Sequence, residues 1–539
     1  MKPFNSFRAP VYAQHGLACS SQPLAAAVGR DILRAGGNAI DAAVAMAAMV
    51  NVTEPMMNGL GGDCFALVRH EGQIYALNGS GRSGSRCTAD AIRAQGHATM
   101  PKAGALTVSV PGALDGYLAL HARFGTMDLS DVVAPAVAYA QDGYPVGYKI
   151  SQVWYWGASK LKHFGTTPEA YLPGGAPPRA GDIFSQKDLS ATWRRIGKEG
   201  RSAFYSGAVR DAILDVVNSR GGFLEAGDFT AQQAEWVEPI SARYRGHTVL
   251  ELPPNGQGIV VLEALRILEA YDMKGLFATD SAAAAHLILE ALKLAFADAE
   301  RYVADPRFAA TPVETLLSDG YVDGRRSLIR DGVALENPVA GRIYGDTTYL
   351  TVMDKDRNAV SLITSISDVF GSGLIAPGTG VILHNRCADF ELEDGHPNVA
   401  APNKRVRHTI LPSMLLDEAG EFHMSFGCMG ANMQPQGQVQ ILVNLLDRGM
   451  NLQEAIDAPR VRVLDGKRIS VEPHADPDLA HKLQAMGHQV SEGEEIPDDW
   501  EAPHDFMRSF EGSAQAIALV GAAMCGGSDP RLDGIAVGF

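Results

Sequence analysis

The chain has 539 residues, 46 Lys and Arg against 62 Asp and Glu for a formal charge of −16, and 46% hydrophobic content. That length buries a sizeable core, the hydrophobicity excludes a disordered chain, and the acidic balance without a block of consecutive cations excludes a phosphate backbone as the main partner. A small-molecule substrate is the expectation, with no nucleic acid and no membrane.

In chain order, residues 22–64 read as two helices parted by Gly36-Gly37-Asn38, followed by the loop TEPMMNGLGGDC. Residues 65–69 and 73–77 read as strands around a turn. From Val108 to Tyr139 the period is helical with a break at Pro111-Gly112, and residues from about 150 to 250 are mixed and polar, with Trp154 and Trp156 as packing residues. After Pro253-Pro254-Asn255-Gly256, the stripe Ile288, Leu292, Ala295 and Phe296 marks a core helix. Residues 301–344 lack a sustained period and read as an exposed connection.

The six cysteines, Cys19, Cys64, Cys87, Cys387, Cys428 and Cys525, form no C-x-x-C pair and predict buried thiols in a reducing compartment. The N-terminal residues have no apolar h-region, and Ala42 to Val50, the longest apolar stretch, is too short to span a bilayer. A cytoplasmic protein is expected on these grounds. Gly79-Ser80-Gly81-Arg82-Ser83-Gly84 has the form G-x-G-x-x-G, yet no acidic residue lies between Ala91 and Leu114 to hold a ribose, so these glycines predict a tight backbone passage. His286, His384, His396 and His408 have no ligand-like spacing. Neither a metal nor a cofactor is expected.

The segment most informative about chemistry runs from Gly345 to Phe390. Thr347 to Met353 alternates as a strand, residues 354–358 form a turn, and Ala359 to Ile366 is a second strand. A hairpin centred on position 356 places Thr347 opposite Ser365, with both hydroxyls on one face. On the hairpin alone, a Thr-rich antiparallel pair explains the pattern as well as a catalytic one does.

The wider sequence resembles the γ-glutamyltranspeptidase family of N-terminal-nucleophile hydrolases. The resemblance is carried in order by GGNAIDAAVAMAAMVNVTEPMMNGLGGD at 36–63, SVPGALDGY at 109–117, PAVAYAQDGYPV at 135–146, HLILEALKLAFADAERYVADP at 286–306, GDTTYLTVMDKDRNAVS at 345–361 and DPRLDGIAVGF at 529–539. It implies an α+β fold, a four-layer αββα sandwich, and a precursor cut between Asp346 and Thr347. Residues 1–346 and 347–539 would then stay together as a heterodimer of large and small fragments, with a dimer of heterodimers as a further assembly. The freed α-amine of Thr347, with a pKa near ~8, would serve as the base for its own hydroxyl.

By position, the resemblance also implies that Ser365 is the hydroxyl partner of the nucleophile and that Gly430 and Ala431 are the oxyanion donors. In the family the latter pair is Gly-Gly, and Ala keeps its N–H, so the open matter is its backbone angle. Asp389 matches the acid that binds a substrate α-amino group. Several glutamyl ligands differ: Ser80 stands in place of an Arg, His408-Thr409 in place of Ser-Ser, Ser367 in place of Asn and Arg386 in place of Gln. Arg82, Arg386, Arg407 and His408 are the candidate positive charges for a small carboxylate. Segments such as PPNGQG at 253–258 and KRVRHTILPS at 404–413 resemble a cytoplasmic branch that includes oxamate amidohydrolase. The expected activity is amide hydrolysis or acyl transfer through an acyl-enzyme on Thr347, from a small acid amide or a γ-glutamyl amide such as glutathione. A family member that has lost catalysis and acts as a binding protein is the rival, disfavoured by Gly345-Asp346-Thr347-Thr348 with Ser365.

Overall fold

A computed structural model describes residues 8–336, 347–491 and 511–539. The β-branched and aromatic runs of the sequence pair into two seven-stranded antiparallel sheets. The first has the order Val11–Ala13, Ala523–Ser528, Ser513–Val520, Phe422–Met429, Pro412–Leu416, His247–Glu251, Ile240–Tyr244. The second has the order Ile535–Gly538, Gly16–Ser20, Thr348–Asp354, Ala359–Ser365, Asp63–His70, Gln73–Gly79, Glu235–Val237.

The sheets face each other across a buried layer. Its few polar atoms pair within it: Thr351 Oγ1 lies 2.6 Å from Ser425 Oγ, and Ser413 N–H donates to Ser361 Oγ at 3.1 Å. Helices Pro23–Arg34, Ala39–Thr53 and Ala113–Phe124 cover the outer face of the second sheet; Gly258–Leu268, Met433–Leu446 and Leu452–Asp457 cover that of the first. This is the αββα sandwich. All 15 residues of Ala39–Thr53 are buried, because other helices pack over its far side and leave it no solvent face. Its start is fixed by Asn38, whose side chain accepts from Ile40 and Asp41 N–H while Asp41 accepts from Asn38 N–H.

Most elements fall where the sequence puts them. The helix Ser281–Tyr302 buries Ile288, Leu292, Ala295 and Phe296, and Trp154 is fully buried with Nε1–H donating to the Tyr171 carbonyl at 2.8 Å. The six cysteines are buried thiols. The glycine-rich passage is tight, since a Cβ on Gly81 would meet the Val110 carbonyl oxygen at 1.6 Å. One expectation needs correction: the described part of the supposed exposed connection holds helices Val313–Leu316 and Asp319–Arg326, and its Asp305 is buried against Arg82. No helix among the described residues is long and apolar enough to cross a membrane.

Both sheets contain strands from residues 1–346 and from residues 347–539, hydrogen-bonded to one another. Thr348–Asp354 lies between Gly16–Ser20 and Ala359–Ser365, near the middle of the second sheet.

Candidate active site

The hairpin that carries Thr347 is set by its turn. Asp354 accepts from the N–H groups of Asp356 and Asn358 at 2.9 and 3.0 Å, and Arg357 takes a positive φ of 65°. The pairing runs Thr348 to Thr364, Tyr349 to Ile363 and onward, so Thr347 stands opposite Ser365. Both are buried, and Thr347 Oγ1 donates to Ser365 Oγ at 3.4 Å. Gln434 Nε2 donates to Thr347 Oγ1 at 3.1 Å, and Ser367 N–H donates to Ser365 Oγ at 2.8 Å. The next hydroxyl, on Thr348, bonds Glu54 and receives Asn58 Nδ2 at 2.8 Å. Asp346 lies outside the described residues.

Gln434 is delivered by a turn. The strand Phe422–Met429 ends, Gly430 and Ala431 both take left-handed angles, with φ of 110° and 49°, and the helix Met433–Leu446 begins. Met433 and Gln434 N–H donate to the Gly430 and Ala431 carbonyls at 2.8 and 3.1 Å. Ala431 therefore holds the kind of angle that glycine adopts freely, at a cost of ~1–2 kcal/mol for a residue with a Cβ.

A second group lies beside the hydroxyl pair. Arg386, 1% exposed at the start of a short 3₁₀ turn, donates from Nη2 to Ser365 Oγ at 3.4 Å and from Nη1 to Thr409 Oγ1 at 3.1 Å and Asp389 Oδ2 at 3.5 Å. Burial pushes the Asp389 carboxyl above its usual range, against the pull of Arg386 and Arg407. Behind Arg386 stands Asp63, fully buried. Its Oδ1 accepts Gly81 N–H at 2.7 Å, and its Oδ2 lies 3.1 Å from both His384 Nδ1 and His408 Nε2. Although burial opposes charge, the two imidazoles hold the Asp63 carboxyl well below the usual carboxylate range. His408 Nδ1 accepts Ile410 N–H at 3.3 Å, so Nε2 carries the proton given to Asp63. Burial and the nearby Arg386 lower its pKa to about 3, which leaves the ring neutral.

The structure thus gathers Thr347, Ser365, Gln434, Arg386, Asp389 and Thr409 around one point. Two expected carboxylate ligands are turned elsewhere. Arg82 has its Nη2 on Glu235 at 2.7 Å and its Nη1 on Asp305 at 2.9 Å, and His408 spends both ring nitrogens inside the protein. Ser80, expected from the resemblance in the place of an Arg, is buried with its Oγ–H donating to Asn78 Oδ1 at 2.6 Å. Sequence reasoning missed Asp63, His384 and Gln434. The first sits in the GLGGD run, quoted for the resemblance without a role, and the last at the start of the helix Met433–Leu446.

Elsewhere, His286, Glu290 and His488 bring ligand atoms within 4.8 Å of one another, although their spacing showed no metal pattern. The buried Lys293 already fills that cluster with a cation: its Nζ donates to Glu290 at 2.7 Å and approaches His488 Nδ1 at 3.4 Å. The two histidines bond each other at 2.9 Å.

Comparison with known proteins bears on the same residues. The family model described as Gamma-glutamyltranspeptidase matches residues 25–539. The chain is 36% identical over 535 residues to the glutathione hydrolase-like YwrD proenzyme of Bacillus subtilis, covering 97% of this chain and 98% of that protein. It is 32% identical over 540 residues to the oxamate amidohydrolase proenzyme of Klebsiella pneumoniae, covering 97% and 98%. The crystal structure of cephalosporin acylase from Bacillus halodurans matches with a TM-score of 0.91 at 38% identity, over 100% of this chain and 98% of that one. With a match of this extent on sequence and on structure, the chain belongs to the gamma-glutamyltranspeptidase family and is an enzyme.

Proposed function

We propose that the protein is a self-processing N-terminal Thr amide hydrolase and acyltransferase. In the precursor, Thr347 Oγ1 attacks the Asp346 carbonyl carbon. The C–N bond to Thr347 breaks, and water hydrolyses the resulting ester, leaving 1–346 and 347–539 as two chains of one fold. The new α-amine then takes the proton from Oγ1 as that oxygen attacks the substrate amide carbon. The N–H groups of Gly430 and Ala431 stabilise the oxyanion, the amine leaves with the proton, and water or a second amine releases the acyl group.

The observation that carries this reading is the setting of the Thr347 hydroxyl. It is fixed between Ser365 and Gln434 at the head of a central strand, with no histidine among the hydrogen-bond partners found for it in the described residues. A Thr hydroxyl without a side-chain base needs another one, and its own amine is the nearest. The interleaving of both fragments in each sheet fits a heterodimer that stays together after the cut. Acyl donors are amides of small acids, oxamate-like or γ-glutamyl, and Arg386, Asp389 and Thr409 line the acyl side. Six buried thiols fit a reducing cytoplasm.

The acyl-enzyme gives the test. During turnover of a slow amide, acid quenching and mass analysis should find the smaller chain heavier by one acyl group, located on Thr347. An acyl group on another residue, or none during active turnover, contradicts the reading.

A further inference from the structure

Resting on the Thr347 reading above, we infer that Arg386 is the residue that selects the acyl donor, and that it selects a carboxylate one or two carbons from the scissile carbonyl. Among the described residues Arg386 is a poorly compensated buried cation. Its Nε has no hydrogen-bond partner, and its nearest acids stand at 3.5 and 3.7 Å. Asp63 cannot close on it, because its oxygens are committed to Gly81, His384 and His408. A buried charge left in this state is costly, and an incoming carboxylate relieves the cost.

Of the other cations named, Arg407 acts with Lys102 on the Asp389 carboxylate, and the rest are paired or neutral. Arg82 and Arg405 are paired with Glu235, and Arg82 with Asp305 as well; His408 is neutral. The position that the resemblance gives to an Arg holds Ser80, turned onto Asn78.

Distance then sets the length of the acid. Nη2 reaches Ser365 Oγ in one 3.4 Å step and Thr347 Oγ1 in a second, so guanidinium and nucleophile are within about 7 Å. An attack distance of ~3 Å and a hydrogen bond of ~2.9 Å use most of that span. The remaining ~1 Å is shorter than a single carbon–carbon bond of ~1.5 Å in line, so the contacts must be bent and the donor short, its carboxylate one or two such bonds from the carbonyl. A γ-glutamyl donor has three carbons between its amide carbonyl and its carboxylate and overshoots the guanidinium when extended.

The test uses the self-processed enzyme with oxamate, malonamate, succinamate and γ-glutamyl-p-nitroanilide, plus oxamide as the neutral partner of oxamate. Wild-type kcat/KM should fall along that series of acids, with oxamate ahead of the glutamyl amide by at least about 100-fold. Arg386→Gln should penalise oxamate at least about 30-fold more than oxamide, chiefly through KM, and Arg386→Lys should recover part of the loss. Self-cutting of each variant reports that it has folded. Equal penalties on oxamate and oxamide mean a structural Arg386 and overturn the inference. So does a cut wild-type enzyme that prefers the glutamyl amide or ignores the short acids. An uncut chain that hydrolyses none of these amides overturns the Thr347 reading itself.

Discussion

Thr347 and Ser365 meet because one hairpin puts them there, whereas Arg386 stands beside them because Asp63 ties together distant stretches of chain. The hairpin is local: a five-residue turn fixes the register, and the register fixes the hydroxyl pair. The Asp63 hub is not. It joins a strand end, the Gly81 passage, His384 and His408, across separations of up to 345 residues. Under the roles proposed above, the two halves of the reaction rest on two kinds of structure. On those roles the nucleophile rides on a hairpin set by its own turn, while the acyl-binding arginine stands beside a buried carboxylate that joins distant segments.

The comparison can be broken most sharply at its chemical end. Thr347→Ala should leave one uncut chain and lower amide hydrolysis by more than about a thousandfold, while thermal unfolding barely moves. An active Thr347→Ala protein would remove the hairpin from the chemistry. Next in size is Asp63→Asn, which leaves buried groups without their charge partner. It should cost about 3–5 kcal/mol in denaturant unfolding and, where the protein still folds, flatten the preference among acid amides. An unchanged preference would show that Arg386 keeps its place without the hub.

Smaller is the pH effect of His408. Its pKa of about 3 in the fold lies below the ordinary imidazole value, so the unfolded chain takes up a proton that the folded one refuses as the medium acidifies. That contribution to stability is fully present above pH ~6.5 and is lost progressively toward pH 3. His408→Gln should therefore show a shallower decline in unfolding free energy between pH 7 and pH 4.5, by about 2 kcal/mol. Parallel curves for both proteins would place the acid sensitivity elsewhere. Smallest is Ala431→Gly, which relieves a left-handed alanine. It should raise stability by up to ~1 kcal/mol and change kcat by less than about threefold. A tenfold rise in kcat would mean that Ala431 misdirects its N–H.

The same contrast explains what was legible in the sequence. The hairpin could be numbered residue by residue because strand alternation and a polar turn are local signals. The stripe on Ser281–Tyr302 was readable for the same reason. Asp63 was not, since nothing periodic connects an acid at the end of a glycine run to histidines more than three hundred residues later. Gln434 carries no charge and sits in a turn into a helix, so only its contact with Thr347 reveals it. Arg82 misled for the opposite reason: its position beside the expected clamp was right, but the acids that neutralise it, Glu235 and Asp305, come from segments that read as mixed chain and exposed connection.

The most direct measurement is N-terminal sequencing and intact mass of the purified protein, with amidase activity assayed on the same sample. Two chains, the smaller starting at Thr347 and carrying the acyl group in turnover, are the predicted result. A single uncut chain with full amidase activity would contradict the role given to Thr347.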